Sequence, residues 1–131
     1  MLLDTSGLPA YHNDKEHDHE RAVRLFRGRR RKVVYSYVLA EFVALAQARG
    51  LPRAPVLVFL NALLVHPRVT VVWVDEGHHR EGMRLLEQRP DKDYSLCDAV
   101  SFVLMRHFGF TDALTTDHHL EQEGFRRLLT P

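Results

Sequence analysis

One cysteine, Cys97, is present among 131 residues. A single thiol excludes an intrachain disulfide and any multi-cysteine metal knuckle, and a reducing cytosol is the expected compartment. Net charge is nearly absent too. Lys and Arg number 18 against 17 Asp and Glu, a formal +1, so a polyanion gripped by global charge is not indicated. There is no long apolar run: the longest, Ala54 to Val65, is interrupted by Asn61 and is shorter than the roughly 20 residues a bilayer span needs. The start, Met1-Leu2-Leu3-Asp4, has no basic segment and meets an acid almost at once, unlike a secretory signal. Linkers, repeats and low-complexity stretches are also missing. What is there is ordinary globular composition, 45% hydrophobic and 27% charged, which argues against disorder. A single soluble cytoplasmic domain spanning 1–131, with no membrane partner, is the expectation.

The pattern along the chain alternates strands and helices. Leu2-Leu3 reads as a short buried strand that ends in a turn over Asp4-Thr5-Ser6-Gly7. A one-sided helix is expected from Asp14 to Arg27. Val33-Val34-Tyr35 reads as a second buried strand, with Ser36 as the cap of a helix running to Arg49 and stopped by Gly50. Arg53 to His66 reads as a helix apolar around most of its circumference. The β-branched run Val69 to Val74 is a strand, Glu76 to Gln88 an amphipathic helix, and Ser95 to Phe108 a mostly apolar helix followed by Gly109. Ala113 to Thr116 and, at an edge, Phe125 to Leu129 complete the strands. This order predicts a parallel sheet covered on both faces. In such sheets ligands bind beyond the carboxyl ends of the strands.

Four acids stand apart from charged company: Asp4, Glu41, Asp98 and Asp117. An isolated carboxylate in an apolar run is costly to bury unless something pairs it. Asp4 and Asp117 end predicted strands, Glu41 and Asp98 lie in the first turns of helices, and a helix that follows a strand begins at that same edge, so the four are expected to converge there. Like charges brought together raise some pKa values unless a divalent cation neutralises them. Hard oxygen ligands suit Mg²⁺ or Mn²⁺, and metal-assisted phosphodiester hydrolysis is the reaction class that follows. Three of the four also have a plainer reading, and Glu41 is the harder one to dismiss. Ser95-x-x-Asp98 fits a helix capping box, and Asp4 and Asp117 fit Asx turns at strand ends. Asp112 precedes its strand and belongs to the opposite edge, while Asp75 is a candidate peripheral acid.

The segments Leu3-Asp4-Thr5-Ser6-Gly7-Leu8, Ala40-Glu41-Phe42, Ser95-Leu96-Cys97-Asp98-Ala99 and Leu114-Thr115-Thr116-Asp117-His118-His119 with Gly124-Phe125 together resemble the PIN-domain ribonucleases, and among them the VapC-type toxins of toxin–antitoxin pairs. The resemblance implies a three-layer α/β/α sandwich with a central mostly parallel sheet and a Mg²⁺- or Mn²⁺-dependent endoribonuclease acting on RNA. It implies Asp4, Glu41, Asp98 and Asp117 as the metal site and catalytic set. Thr5 or Ser6 would orient the first carboxylate or a bound water, with Ser95 and Thr116 as supporting hydroxyls. Cys97 stands where Thr is common, and Leu120 where Phe is common; neither change removes an acid. A homodimer and a small antitoxin partner are further implications. The alternatives are a PIN-type RNA-processing nuclease outside a toxin pair, or a non-catalytic RNA- or protein-binding module. Phosphoryl transfer through an aspartyl intermediate is less suitable, because Ser6 occupies the position where such phosphatases carry a second Asp.

Other features are weighed against these. His17-x-His19, His78-His79 and His118-His119 lack a closed four-ligand pattern, so structural zinc is not expected. His118 and His119, directly after Asp117, are candidate phosphate contacts set against a solvated loop. The run Arg29 to Lys32 precedes its strand, which places it at the amino edge as a solvated turn. Lys15, Arg89 and Lys92 lie in connections nearer the carboxyl edge and are the better candidates for substrate contact. On the Arg53–His66 helix one apolar stripe covers the core, and the remainder predicts an exposed apolar patch suited to a protein partner.

Overall fold

The structure is a computed structural model, and it describes residues 1–130. In chain order the elements are β1 (Leu2–Leu3), α1 (Gly7–His12), α2 (His19–Arg27), β2 (Lys32–Tyr35), α3 (Ser36–Ala48), α4 (Arg53–Leu64) and β3 (Val69–Val72). They continue with α5 (Glu76–Gln88), α6 (Leu96–Phe108), β4 (Asp112–Leu114), α7 (His119–Gln122) and β5 (Arg126–Arg127). The five strands lie in the order β3-β2-β1-β4-β5, and every pair is parallel. Helices α1 to α4 pack on one another, as do α5, α6 and α7, giving the α/β sandwich expected from the alternation. The three inner strands read as continuous apolar runs because both their faces are covered. Leu2, Leu3, Val33, Val34, Ala113 and Leu114 are fully buried, whereas edge strand β3 is half-buried throughout.

Several local expectations are corrected. The helix expected from Asp14 begins at His19. Asn13 turns the chain first: its side-chain oxygen accepts from the Lys15 backbone N–H, and Asn13 O accepts from Glu16 N. Regular pairing starts only where Asp18 O accepts from Ala22 N at 2.9 Å. The turn after β1 leads straight into α1, a six-residue helix absent from the sequence reading. Ser36 is the first residue of α3 rather than its cap, and its hydroxyl accepts from Val74 N at 2.9 Å, tying the end of β3 to the start of α3. Asp112 is the first residue of β4 yet still lies at the amino edge, where Arg126 and Arg30 pair with it and hold its carboxyl below the usual range.

The basic run is also not a uniformly solvated turn. Lys32 is fully buried, with Nζ donating to Gly28 O at 2.9 Å and Arg30 O at 2.8 Å and lying 5.3 Å from the centre of the Phe26 ring. Two backbone carbonyls and an aromatic face solvate the ammonium, and its aliphatic stem fills core volume. Burial lowers its pKa, assisted by the charge of Arg68. The expected apolar patch is present: Leu57, Val58 and Leu64 on α4 and Val65 just after it are exposed, Val58 at 69% and Val65 at 80%. No helix among the described residues is long and apolar enough to cross a membrane.

Candidate active site

The strand order reverses about β1. Chain connections run to one side through β2 and β3 and to the other through β4 and β5, so β1 and β4 flank the switch point where doubly wound sheets open a crevice. Leu3 is in register with Leu114, which sets Asp4 beside Thr115 just past the carboxyl ends. The two segments are locked together. Asp4 N donates to Leu114 O at 3.2 Å, and the Thr115 hydroxyl donates to Asp4 Oδ2 at 2.7 Å. Ser6 Oγ lies 3.0 Å from Thr115 Oγ1 and accepts from Thr116 N at 2.9 Å. Thr115 Oγ1 accepts in turn from Asp117 N at 3.0 Å.

Helix α6 delivers the next acid. Its N-cap Ser95 accepts from Asp98 N at 3.0 Å while Asp98 Oδ2 accepts from Ser95 N at 2.9 Å. The capping box is therefore real, and it also fixes the carboxylate. Close packing of α6 on α5 needs Gly82: a Cβ there would come within 2.7 Å of Val100 Cγ2. On the other side of Asp98, Cys97 is buried. Tyr35, at the end of β2, donates its hydroxyl to Cys97 O at 2.7 Å and meets the Ser101 hydroxyl. The α6 N-terminus is thereby held against the central sheet.

Asp4, Asp98 and Asp117 line one cleft of about 350 Å³, together with Thr5, Ser6 and Thr116. Glu41, in the second turn of α3, is exposed and accepts from the Thr5 hydroxyl at 3.4 Å, which places it at the rim. Burial pushes the Asp4 carboxyl up to about 6. Hydrogen bonds from Thr115 and the Thr5 backbone oppose that rise, and the charges of Asp98 and Asp117 add to it. Burial also raises Asp98, with Asp117 contributing in the same direction. Asp98 Oδ1 and Asp117 Oδ2 have no hydrogen-bond partner among the described residues, while their companion oxygens are tethered to backbone N–H groups. Carboxylate oxygens left uncommitted and under mutual repulsion are suited to a hard divalent cation such as Mg²⁺ or Mn²⁺.

Some expected contributors are placed elsewhere. Neither Thr5 nor Ser6 bonds the Asp4 carboxylate through its hydroxyl; Thr115 does, and the sequence reading did not single it out. Only the strand register reveals that contact, because the two residues are 111 positions apart. Lys15, Arg89 and Lys92 do not line the cleft; Lys15 and Lys92 are exposed, with Lys92 Nζ 3.9 Å from Asp91, and Arg89 is committed to Glu123. The cation that lines it is Arg49, at the end of α3, bonded to Glu16 at 3.0 Å, beside His17 and Asp18. Asp75 is the N-cap of α5 and not a fifth member of the cluster. His118 is exposed, but His119 is not in a solvated loop: it opens α7, with its side chain 18% exposed. Glu123, buried and paired with Arg89 at 2.9 Å and Arg106 at 2.7 Å, pins the far end of α7.

A doubly wound parallel sheet with aspartates clustered at its switch point defines a domain class, and the chain belongs to the PIN-domain family, whose model matches residues 1–125. Among solved structures it is similar to the Mycobacterium tuberculosis toxin VapC20, described as cleaving the sarcin-ricin loop. That match has a TM-score of 0.86 and 27% sequence identity, and it covers 99% of this chain and 98% of that one. No curated protein matches the chain.

Proposed function

We propose that this chain is a metal-dependent endoribonuclease and the toxin of a toxin–antitoxin pair, acting on RNA in the cytoplasm. The observation that carries the reading is the convergence of Asp4, Asp98 and Asp117 on one cleft at the switch point. The whole-length likeness to a structure described as an RNA-cleaving toxin supports it. Asp4, Asp98 and Asp117 are the ligands of the principal ion, Mg²⁺ or Mn²⁺. Glu41 holds a second ion or positions the attacking water. When bound, such an ion supplies a water of lowered pKa and stabilises charge on the phosphodiester.

The protein's own groups do the rest. Thr115 fixes the Asp4 carboxylate, Ser6 fixes Thr115, and Ser95 fixes Asp98. Arg49 supplies positive charge on the cleft wall for the RNA backbone. The Arg29–Lys32 run is away from this edge: Arg30 is committed to Asp112, Arg31 to Thr70, and Lys32 to backbone carbonyls. The exposed apolar residues on and after α4, with Trp73 beyond β3, support pairing of two copies and cover by a small antitoxin. Sedimentation of the purified chain distinguishes one copy from two.

Adding Mn²⁺ to metal-free protein tests the reading. A ligand at about 100 times its Kd stabilises the folded state by about 2.7 kcal/mol, which for a chain of this size is a rise in Tm of roughly 10 °C. No rise, or an equal rise when the aspartates are replaced by Asn, overturns the metal assignment.

A further inference from the structure

We infer that His119 is a positioning residue for the carboxylates of the metal site, holding Asp98 and Asp117 at a common spacing. The inference rests on the reading of those two aspartates as ligands. His119 Nδ1 lies 3.2 Å from Asp98 Oδ2 and 3.3 Å from Asp117 Oδ1. The atom is shut off from solvent and makes no hydrogen bond with any described residue, these two oxygens included. A buried ring nitrogen without a partner is costly, so its place between two carboxylate oxygens requires an explanation.

The oxygens it faces give one. Asp98 Oδ2 already accepts from Ser95 N at 2.9 Å, and Asp117 Oδ1 from His119 N at 2.9 Å. These are the tethered oxygens of each carboxylate, and the imidazole lies on that same pair. Asp98 Oδ1 and Asp117 Oδ2 are left for the ion. The two acids come from different elements, α6 and the segment after β4, and no covalent connection sets their separation. A ring nitrogen seated between both tethered oxygens sets how far apart the two carboxylates, and with them the free oxygens, stand. Local structure aims the ring. The turn closed by His119 N on Asp117 directs the side chain back over that acid, and Tyr94 packs edge-on against it with ring centres 5.3 Å apart.

Groups that orient metal ligands typically contribute 10- to 100-fold to metal affinity. The test is Mn²⁺ titration calorimetry on the full chain, comparing wild type with His119→Asn and His119→Gln. Asn places its amide nitrogen where Nδ1 sits, whereas Gln places it one bond further out and vacates that position. Both are polar, and circular dichroism and metal-free Tm verify the fold. About a 10- to 100-fold weaker Kd is expected for His119→Gln, with His119→Asn close to wild type. If Gln binds Mn²⁺ as wild type does, or Asn and Gln weaken it equally, the positioning role is wrong. Wild-type protein that takes up no Mn²⁺ overturns the ligand reading itself. Mn²⁺ uptake that depends on the aspartates but not on Nδ1 overturns this inference alone.

Discussion

Asp4→Asn is expected to reduce RNA cleavage by about a thousandfold or more while leaving the fold intact. A ligand carboxylate contributes several kcal/mol through the ion's effect on the transition state, and each 1.36 kcal/mol is tenfold in rate. Asn keeps the shape and offers Thr115 an amide oxygen to bond, but it removes the charge. The metal-free variant should melt at the same temperature as wild type or higher. The sign follows from burial, which pushes the Asp4 carboxyl up to about 6. A folded-state value above the unfolded one gives stability that is fully present below about pH 4 and lost as the pH rises through about 6. At neutral pH the metal-free wild type carries that penalty and the Asn variant does not. In saturating Mn²⁺ the order should reverse, because only wild type gains the ion's stabilisation. Parallel Mn²⁺ melts and RNA cleavage assays check both halves. Full cleavage by Asp4→Asn, or an Mn²⁺ shift equal to that of wild type, contradicts the assignment.

Gly7→Ala is the largest expected structural effect. A Cβ on Gly7 would lie 2.0 Å from the Leu114 carbonyl oxygen, backbone against backbone. No rotamer change relieves that clash, so α1 must separate from β4. That movement would pull apart the segment joining Asp4, Ser6 and Thr115. A loss of at least about 3 kcal/mol in urea unfolding is expected, with cleavage falling alongside it. Gly50→Ala provides the contrast. Gly50 sits at φ +73° with nothing within 4 Å of an added Cβ, so only the left-handed backbone cost of about 1 kcal/mol applies. Equal stability of Gly7→Ala and wild type would mean that α1 does not pack on β4 as described.

These two residues illustrate what could be read from sequence. Asp4, Asp98 and Asp117 were legible because each is a lone carboxylate at the end of an apolar strand or the start of an apolar helix. The parallel-sheet rule then carried them to one edge. Glu41 was legible as a lone acid, and the structure places it at the rim, linked through Thr5. Thr115 was not legible, since a hydroxyl in a strand tail has no signal until register places it beside Asp4. Helix α1 was missed because Gly7 and Pro9 fall within only six residues, and its stability comes from packing rather than propensity. Lys32 was misread because a lysine in a basic run looks solvated; its carbonyl partners at Gly28 and Arg30 appear only once the chain turns into β2. The Asp14–Asp18 segment carried helix-like charge but lost to the Asn13 turn. The polar choices here were local sequence signals overridden by long-range contacts.

The most direct measurement is cleavage of RNA by the purified wild-type chain with divalent metal supplied, withdrawn and returned. Cleavage in Mn²⁺ or Mg²⁺ that stops on adding EDTA, resumes when metal is restored, and is absent from Asp4→Asn under the same conditions is the predicted result. RNA cleavage that continues in EDTA, or is equal in the two proteins, contradicts a metal-dependent nuclease centred on Asp4, Asp98 and Asp117.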